Sequence, residues 1–193
     1  KNELCCFTLE DPSKDLLKGA GGVYTTWNSR SNAKKNAVAI HPSKHVLHIK
    51  NTHNALAFEN SLYQVDVIIS PLSYTSPHNY TFVCVTFQVE GEKDQFLFAD
   101  WQNWSTTFRG VSASSKEIRI WGVKNNEKAY LPIPHETKRT EWTTLLVEWS
   151  NINGNEGSYI LNNKKELGTS TCQDVGIVAS ERLSIGGKID SSN

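Results

Sequence analysis

The chain of 193 residues contains no methionine. It also has no apolar run near the ~20 residues that a membrane-spanning helix requires. It carries no charge excess, since 20 Lys and Arg offset 20 Asp and Glu. A nucleic-acid binder shows a basic excess and a solvating tail an acidic one, so neither class is expected. No CxxC pair is present, and the cysteines are too scattered for a zinc site of that type. No serine sits in a G-x-S-x-G elbow, and no glycine-rich phosphate loop leads from a strand into a helix. There is no long helical pattern, internal repeat, low-complexity tract or linker. Without an initiator methionine the chain is expected to be a processed product or an excised fragment, with any targeting segment removed.

What is present is a β pattern. Hydrophobic residues make up 38% of the chain, enough for one core, and the length fits a single domain over 1–193. The strongest helical signal is DPSKDLLKG, where Asp11 can cap, Pro12 suits the first helical position and Gly19 can close the end. It allows one or two turns. Ala37–Ile40 and Val46–Lys50 read as strands around a turn at His41-Pro42-Ser43, and Ala55–Phe58 as another short piece. Tyr63, Val65, Val67 and Ile69 alternate with Gln64, Asp66 and Ile68, a period-two, half-buried strand. In Phe82–Glu90, Val83, Val85, Phe87 and Val89 share one face while Cys84, Thr86 and Gln88 share the other. QFLFADW (Gln95–Trp101) is apolar on both faces and should be central. Thr107–Val111, Glu117–Val123 and Lys128–Ile133 follow, and Pro132 and Pro134 confine the last to an edge. Roughly twelve strand candidates at about ten-residue spacing argue an all-β sandwich or barrel.

The most diagnostic stretch is Trp142–Gly187. Trp142 opens a strand with Leu145 and Val147 on one face, an Asn/Gly loop follows, and Tyr159 resumes the alternation before a tight Asn162-Asn163-Lys164 turn. The late strand Leu183-Ser184-Ile185 ends in Gly186-Gly187. This order resembles the laminin-G-like and concanavalin-A-like jelly rolls. The motif covers about a quarter of the chain, with strand spacing compatible over the rest. The resemblance implies a jelly-roll β-sandwich of two antiparallel sheets. It implies a role among lectins, adhesion modules, pentraxins or glycosidases, which share that fold. Two features depart from the family: Asn162-Asn163-Lys164 replaces a D-G or N-G turn, and little chain follows the GG strand. The partner of that strand is therefore expected to come from the N-terminal segment, or to lie beyond the chain's end. The family's metal-site acids map onto no residues here.

Four cysteines are present: Cys5, Cys6, Cys84 and Cys172. A bridge between the adjacent pair would strain the backbone. The expected scheme joins one of that pair to Cys84 and the other to Cys172, leaving two connectivities; the alternative is four reduced thiols. Two N-glycosylation sequons, at Asn79 and Asn103, tilt the balance toward a secreted protein or ectodomain.

For hydrolysis, a retaining glycosidase needs carboxylates about 5 Å apart on one strand face, as E-x-D-x-x-E supplies. No such string occurs, and no catalytic residue is assigned. His41, His45, His48 and His53 crowd one region, and imidazole can bind zinc or switch with pH. A solvated hairpin with scattered histidines explains them as well, and no metal ligand is assigned. The first choice for ligand contact is the segment containing Asp100, Trp101, Asn103 and Trp104, joined across strands by Arg109 and Trp121. Carboxylate and amide groups bond sugar hydroxyls, and indole faces stack on pyranose rings. Core packing of Trp101 with Trp104 as its cap is the competing explanation, and a glycan on Asn103 would weaken the sugar-binding one.

The expected protein is thus an extracellular, non-catalytic recognition module. It would bind glycans or a cell-surface or extracellular protein partner in adhesion or receptor engagement. No cofactor is called for, calcium being the one ion left open, and oligomerisation is left open too. The alternatives are a glycan-active hydrolase of the same fold and a structural or oligomerisation domain of a larger secreted protein.

Overall fold

The computed structural model describes residues 6–31, 35–40, 46–50, 54–58, 63–66, 80–89, 92–103, 107–124, 127–134, 141–150, 156–161, 164–169 and 182–186. They form a jelly-roll β-sandwich of antiparallel sheets with one turn of α-helix. A nine-stranded sheet runs in the order β1 (Leu16–Lys18), β2 (Tyr24–Trp27), β3 (Ala37–Ala39), β6 (Tyr63–Asp66), β15 (Arg182–Ile185), β8 (Gln95–Asn103), β9 (Thr107–Ala113), β10 (Glu117–Lys124) and β11 (Glu127–Pro134). A four-stranded sheet orders β14 (Lys164–Thr169), β13 (Glu156–Leu161), β12 (Thr143–Ser150) and β7 (Tyr80–Phe87). A separate hairpin pairs β4 (Val46–Lys50) with β5 (Asn54–Phe58).

Period-two alternation builds the core. On β7 and β12, Phe87, Leu145 and Val147 are buried, while Cys84, Thr86 and Thr144 on the opposite face are exposed. Thr86 and Thr144 join their hydroxyls at 3.1 Å on that outer surface. The buried set meets Phe98, Val111, Ile118, Ile120 and Ile133 from the nine-stranded sheet in one cluster, so the two sheets pack face to face. A second cluster lies under the β4–β5 hairpin, where Leu56 and Phe58 pack with Ala37, Ala39, Trp27 and Ile185.

The central place expected for QFLFADW is observed, because β8 lies between β15 and β9. The prolines act as expected too, since β11 is an edge of the nine-stranded sheet. Other expectations are corrected. The strands at 37–40 and 46–50 do not flank one hairpin, because β3 joins the large sheet while β4 pairs with β5. The GG strand β15 is not completed by the N-terminal segment. It pairs with β6 on one side (Ile185 opposite Tyr63) and with β8 on the other (Ile185 opposite Phe98). The N-terminal strand β1 instead forms the far edge, beside β2.

The helix also ends sooner than Gly19. Asp11 caps α1 (Pro12–Asp15), and Leu16 is already extended. Two tertiary demands stop it there. Arg30 donates from Nε and Nη2 to the two oxygens of buried Asp15 at 3.0 Å each, with Nη1 donating to Glu10 at 2.5 Å. Leu16 is buried opposite Trp27 in the sheet. One helical turn is marginal alone, so packing decides.

The cap has a pH signature. Asp11 accepts hydrogen bonds from the Ser13 amide and hydroxyl and pairs with Lys14 Nζ at 2.8 Å. The Lys14 ammonium first, and then the Ser13 hydroxyl, lower its pKa from 3.8 to about 2. A folded-state value below the unfolded one means that the charged cap favours folding above 3.8. That contribution fades as pH falls toward about 2. Carboxyl-detected NMR titration should find the Asp11 midpoint near that low value, and Lys14→Ala should move it up toward 3.8. A midpoint indifferent to Lys14→Ala would discount the pairing.

Candidate functional site

The face of the nine-stranded sheet turned away from the core carries the candidate site. An unbroken row of register partners crosses all nine strands, from Leu17 on β1 through Val38, Ser184, Ala99 and Gly110 to Trp121 and Tyr130 on β10 and β11. Leu17, Val38 and Tyr130 are the large apolar side chains that stay exposed among the described residues, and all three lie on this row. At its centre, Ser184 and Ala99 have no exposed surface.

The β8–β11 corner of this face combines rings and charges. Register puts Phe96, Ser112, Arg119 and Pro132 side by side, next to the Ala99, Gly110, Trp121 and Tyr130 row. Asp94 precedes β8, and Glu117 starts β10 on the same face as Arg119 and Trp121. The Trp121 indole is fixed by its Nε1–H, which donates to the buried Ser112 hydroxyl at 2.7 Å. Its ring lies 4.7 Å from that of Tyr130 at 43° and 6.1 Å from that of Phe96 at 32°. Gly110 keeps the floor low, because a Cβ there would lie 2.8 Å from the Phe98 carbonyl oxygen and 3.3 Å from the Phe96 ring.

Arg119 ties charge to aromatics. Its guanidinium carbon lies 5.0 Å from the Tyr130 ring centroid and 6.0 Å from that of Trp121, within cation–π range. Its Nε–H donates to Glu117 and its Nη1–H to Asp94. The Glu117 carboxylate raises the Arg119 pKa, so the guanidinium is charged at any physiological pH. The other Asp94 oxygen is buried and has no hydrogen-bond partner among the described residues. Tyr130 is 43% exposed. The result is a rigid platform with one half-open phenol ring, flanked by exposed Pro132 and Pro134 and bordered by hydrogen-bonding charges.

The sequence-derived set is spread over three neighbouring strands. Asp100 on β8 and Arg109 on β9 are direct register partners. Trp101 is the register partner of Phe108, and Trp121 holds an outer-face position. Asn103 ends β8 opposite Thr107, past an irregularity in the register. Trp104 and Asn79 lie outside the described residues, as do His41, His45 and His53; His48 is on β4 opposite Leu56. Among the described residues no three His, Cys, Asp or Glu side chains gather as a metal site would. No described helix is long and apolar enough to cross a membrane.

Cys84, one of the four cysteines expected to pair, is exposed. It stands on the outward face of the four-stranded sheet. Cys6 lies in the other layer beyond the end of β2, its amide donating to Ser29 Oγ at 3.2 Å. Cys5 and Cys172 lie outside the described residues. Sequence reading missed Asp94, Glu117, Arg119 and Tyr130. The signal available was the alternation Glu117-x-Arg119-x-Trp121, which puts three polar or aromatic groups on one face.

No protein-family model matches the chain, and no curated protein sequence matches it. Solved structures do share its fold. The binding domain of botulinum neurotoxin DC, in complex with rat synaptotagmin II, aligns over 90% of this chain and 43% of its own, at TM-score 0.52 and 11% identity. A structure concerned with cell entry of botulinum neurotoxin type C and its interaction with two ganglioside molecules aligns over 96% of this chain and 46% of its own, at TM-score 0.50 and 11% identity. Domains LG4-5 of the mouse laminin α1 chain align over 76% of this chain and 39% of their own, at TM-score 0.48 and 10% identity. The chain thus spans less than half the length of these structures. At such identities the likeness is one of fold alone, a jelly-roll β-sandwich.

Proposed function

We propose that the chain is a non-catalytic recognition module of an extracellular protein, binding glycan through the β8–β11 corner of its outer face. The observation that carries this reading is the half-exposed Tyr130 ring, held between the Trp121 indole and the Arg119 guanidinium. A sugar ring packs its C–H face on such a phenol, while nearby charged groups bond its hydroxyls. The Tyr130 hydroxyl can donate a hydrogen bond to a ligand and accept one from it. The two toxin structures of this fold, one in complex with rat synaptotagmin II and one concerned with interaction with two ganglioside molecules, support a binding role for such a scaffold. Asp94 and Glu117 both contact Arg119, so neither stands free as the acid or the nucleophile of a hydrolase.

A glycan array tests the reading. Tyr130→Ala should lower the signal at least tenfold, as expected for a stacking residue worth about 1.4 kcal/mol or more. Its exposed place on an edge strand keeps the stability cost within about 1 kcal/mol. Reading the array in calcium and again in chelator separates recognition by protein groups from recognition bridged by an ion. An unchanged signal in Tyr130→Ala would refute the site.

A further inference from the structure

We infer that this corner takes an uncharged sugar and turns away its sialylated or sulfated form. The inference rests on the glycan-binding reading above and specifies its ligand. Arg119 is the group that would attract an acidic sugar, but Glu117 and Asp94 both accept hydrogen bonds from it. Two carboxylates against one guanidinium leave this described cluster with a net negative charge. The neighbouring Lys116–Glu92 pair, at 2.7 Å, cancels itself and adds nothing.

An approaching carboxylate or sulfate would therefore meet two like charges and a guanidinium that already has its counter-ions. A neutral pyranose meets no such repulsion. Its hydroxyls can donate to Asp94 and Glu117, which are acceptors only when ionised, and accept from the remaining guanidinium N–H groups. The Trp121 N–H is spent on Ser112, so the indole offers its ring and no donor to an anion.

The test is a glycan array that carries each neutral oligosaccharide beside its sialylated and sulfated forms, read at low and high salt. The wild type should favour the neutral member of a pair at least tenfold, with little change on adding salt, since no charge pair is screened. Glu117→Gln, a mild change at a half-exposed position, should narrow that gap. Glu117→Gln with Asp94→Asn should reverse it, because Arg119 then faces the ligand without counter-ions. A wild-type preference for the anionic member that Tyr130→Ala abolishes would overturn this inference and leave the site standing. Binding to either form that survives Tyr130→Ala, or no binding to any glycan, would overturn both.

Discussion

Leu145→Ala is expected to destabilise the domain by about 3–4 kcal/mol. Leu145 has no exposed surface and lies midway between the layers. It is a register partner of Val85 on β7 and of Leu161 on β13, and it belongs to the cluster shared with Val111, Ile118 and Ile120 of the other sheet. Truncation removes buried apolar surface and leaves a cavity. The cavity cannot close, because hydrogen-bonded ladders hold β12 on both sides and the sheets would have to move as units. Urea denaturation of the two proteins measures the difference. Thr144→Ala, on the exposed face one residue away, is the control and should change stability by less than about 1 kcal/mol. Equal losses for the two would mean that the alternation does not face the core as described.

Gly186→Ala should cost about 3 kcal/mol, from two independent causes. Gly186 has φ +80°, a conformation that an L side chain adopts only with strain. A Cβ there would also fall 1.9 Å from Phe58 Cδ1 and 2.3 Å from Cγ, inside the ring. Phe58 packs with Ala37, Ala39 and Ile185, so it cannot turn aside without opening that cluster. The residue also donates its amide to the Leu97 carbonyl at 3.0 Å, anchoring the end of β15 beside β8. Gly21→Ala separates the causes. Gly21 has φ +75° but nothing within 4 Å of its would-be Cβ, so only strain of about 1 kcal/mol is expected. Thermal melts of both variants decide the matter. Similar losses would show that Phe58 yields and that the β4–β5 hairpin is loosely seated.

Much of the sandwich was legible locally. The alternation in Phe82–Val89 and Thr143–Val147 correctly separated core from surface, because side chains on a strand alternate with a period of two whatever the partner. Apolar groups on both faces of Gln95–Trp101 marked a central strand, and prolines marked an edge. The candidate site was less legible. Trp121 was named, but its partners were not, because Asp94, Ser112, Arg119 and Tyr130 come from four successive segments. Only register brings them together. Asp100 and Arg109 look like partners of the tryptophans in sequence. In the sheet they are register partners of each other on β8 and β9.

Sequence alone determined the strand-rich class and many of the buried positions, because these follow from the local period of apolar residues. It also singled out the Trp142–Gly187 stretch that carries the jelly-roll resemblance. Only the tertiary structure decided the neighbours of that stretch's last strand, seated between β6 and β8. It alone converted half of a helical signal into β1, through the Arg30–Asp15 pairing and the burial of Leu16. It alone set Arg119 over Tyr130 between two carboxylates. The physical reason is common to all three. Pairing partners distant in the chain are selected by how whole faces fit and which charges must be matched, and neither is written in the period of a single strand.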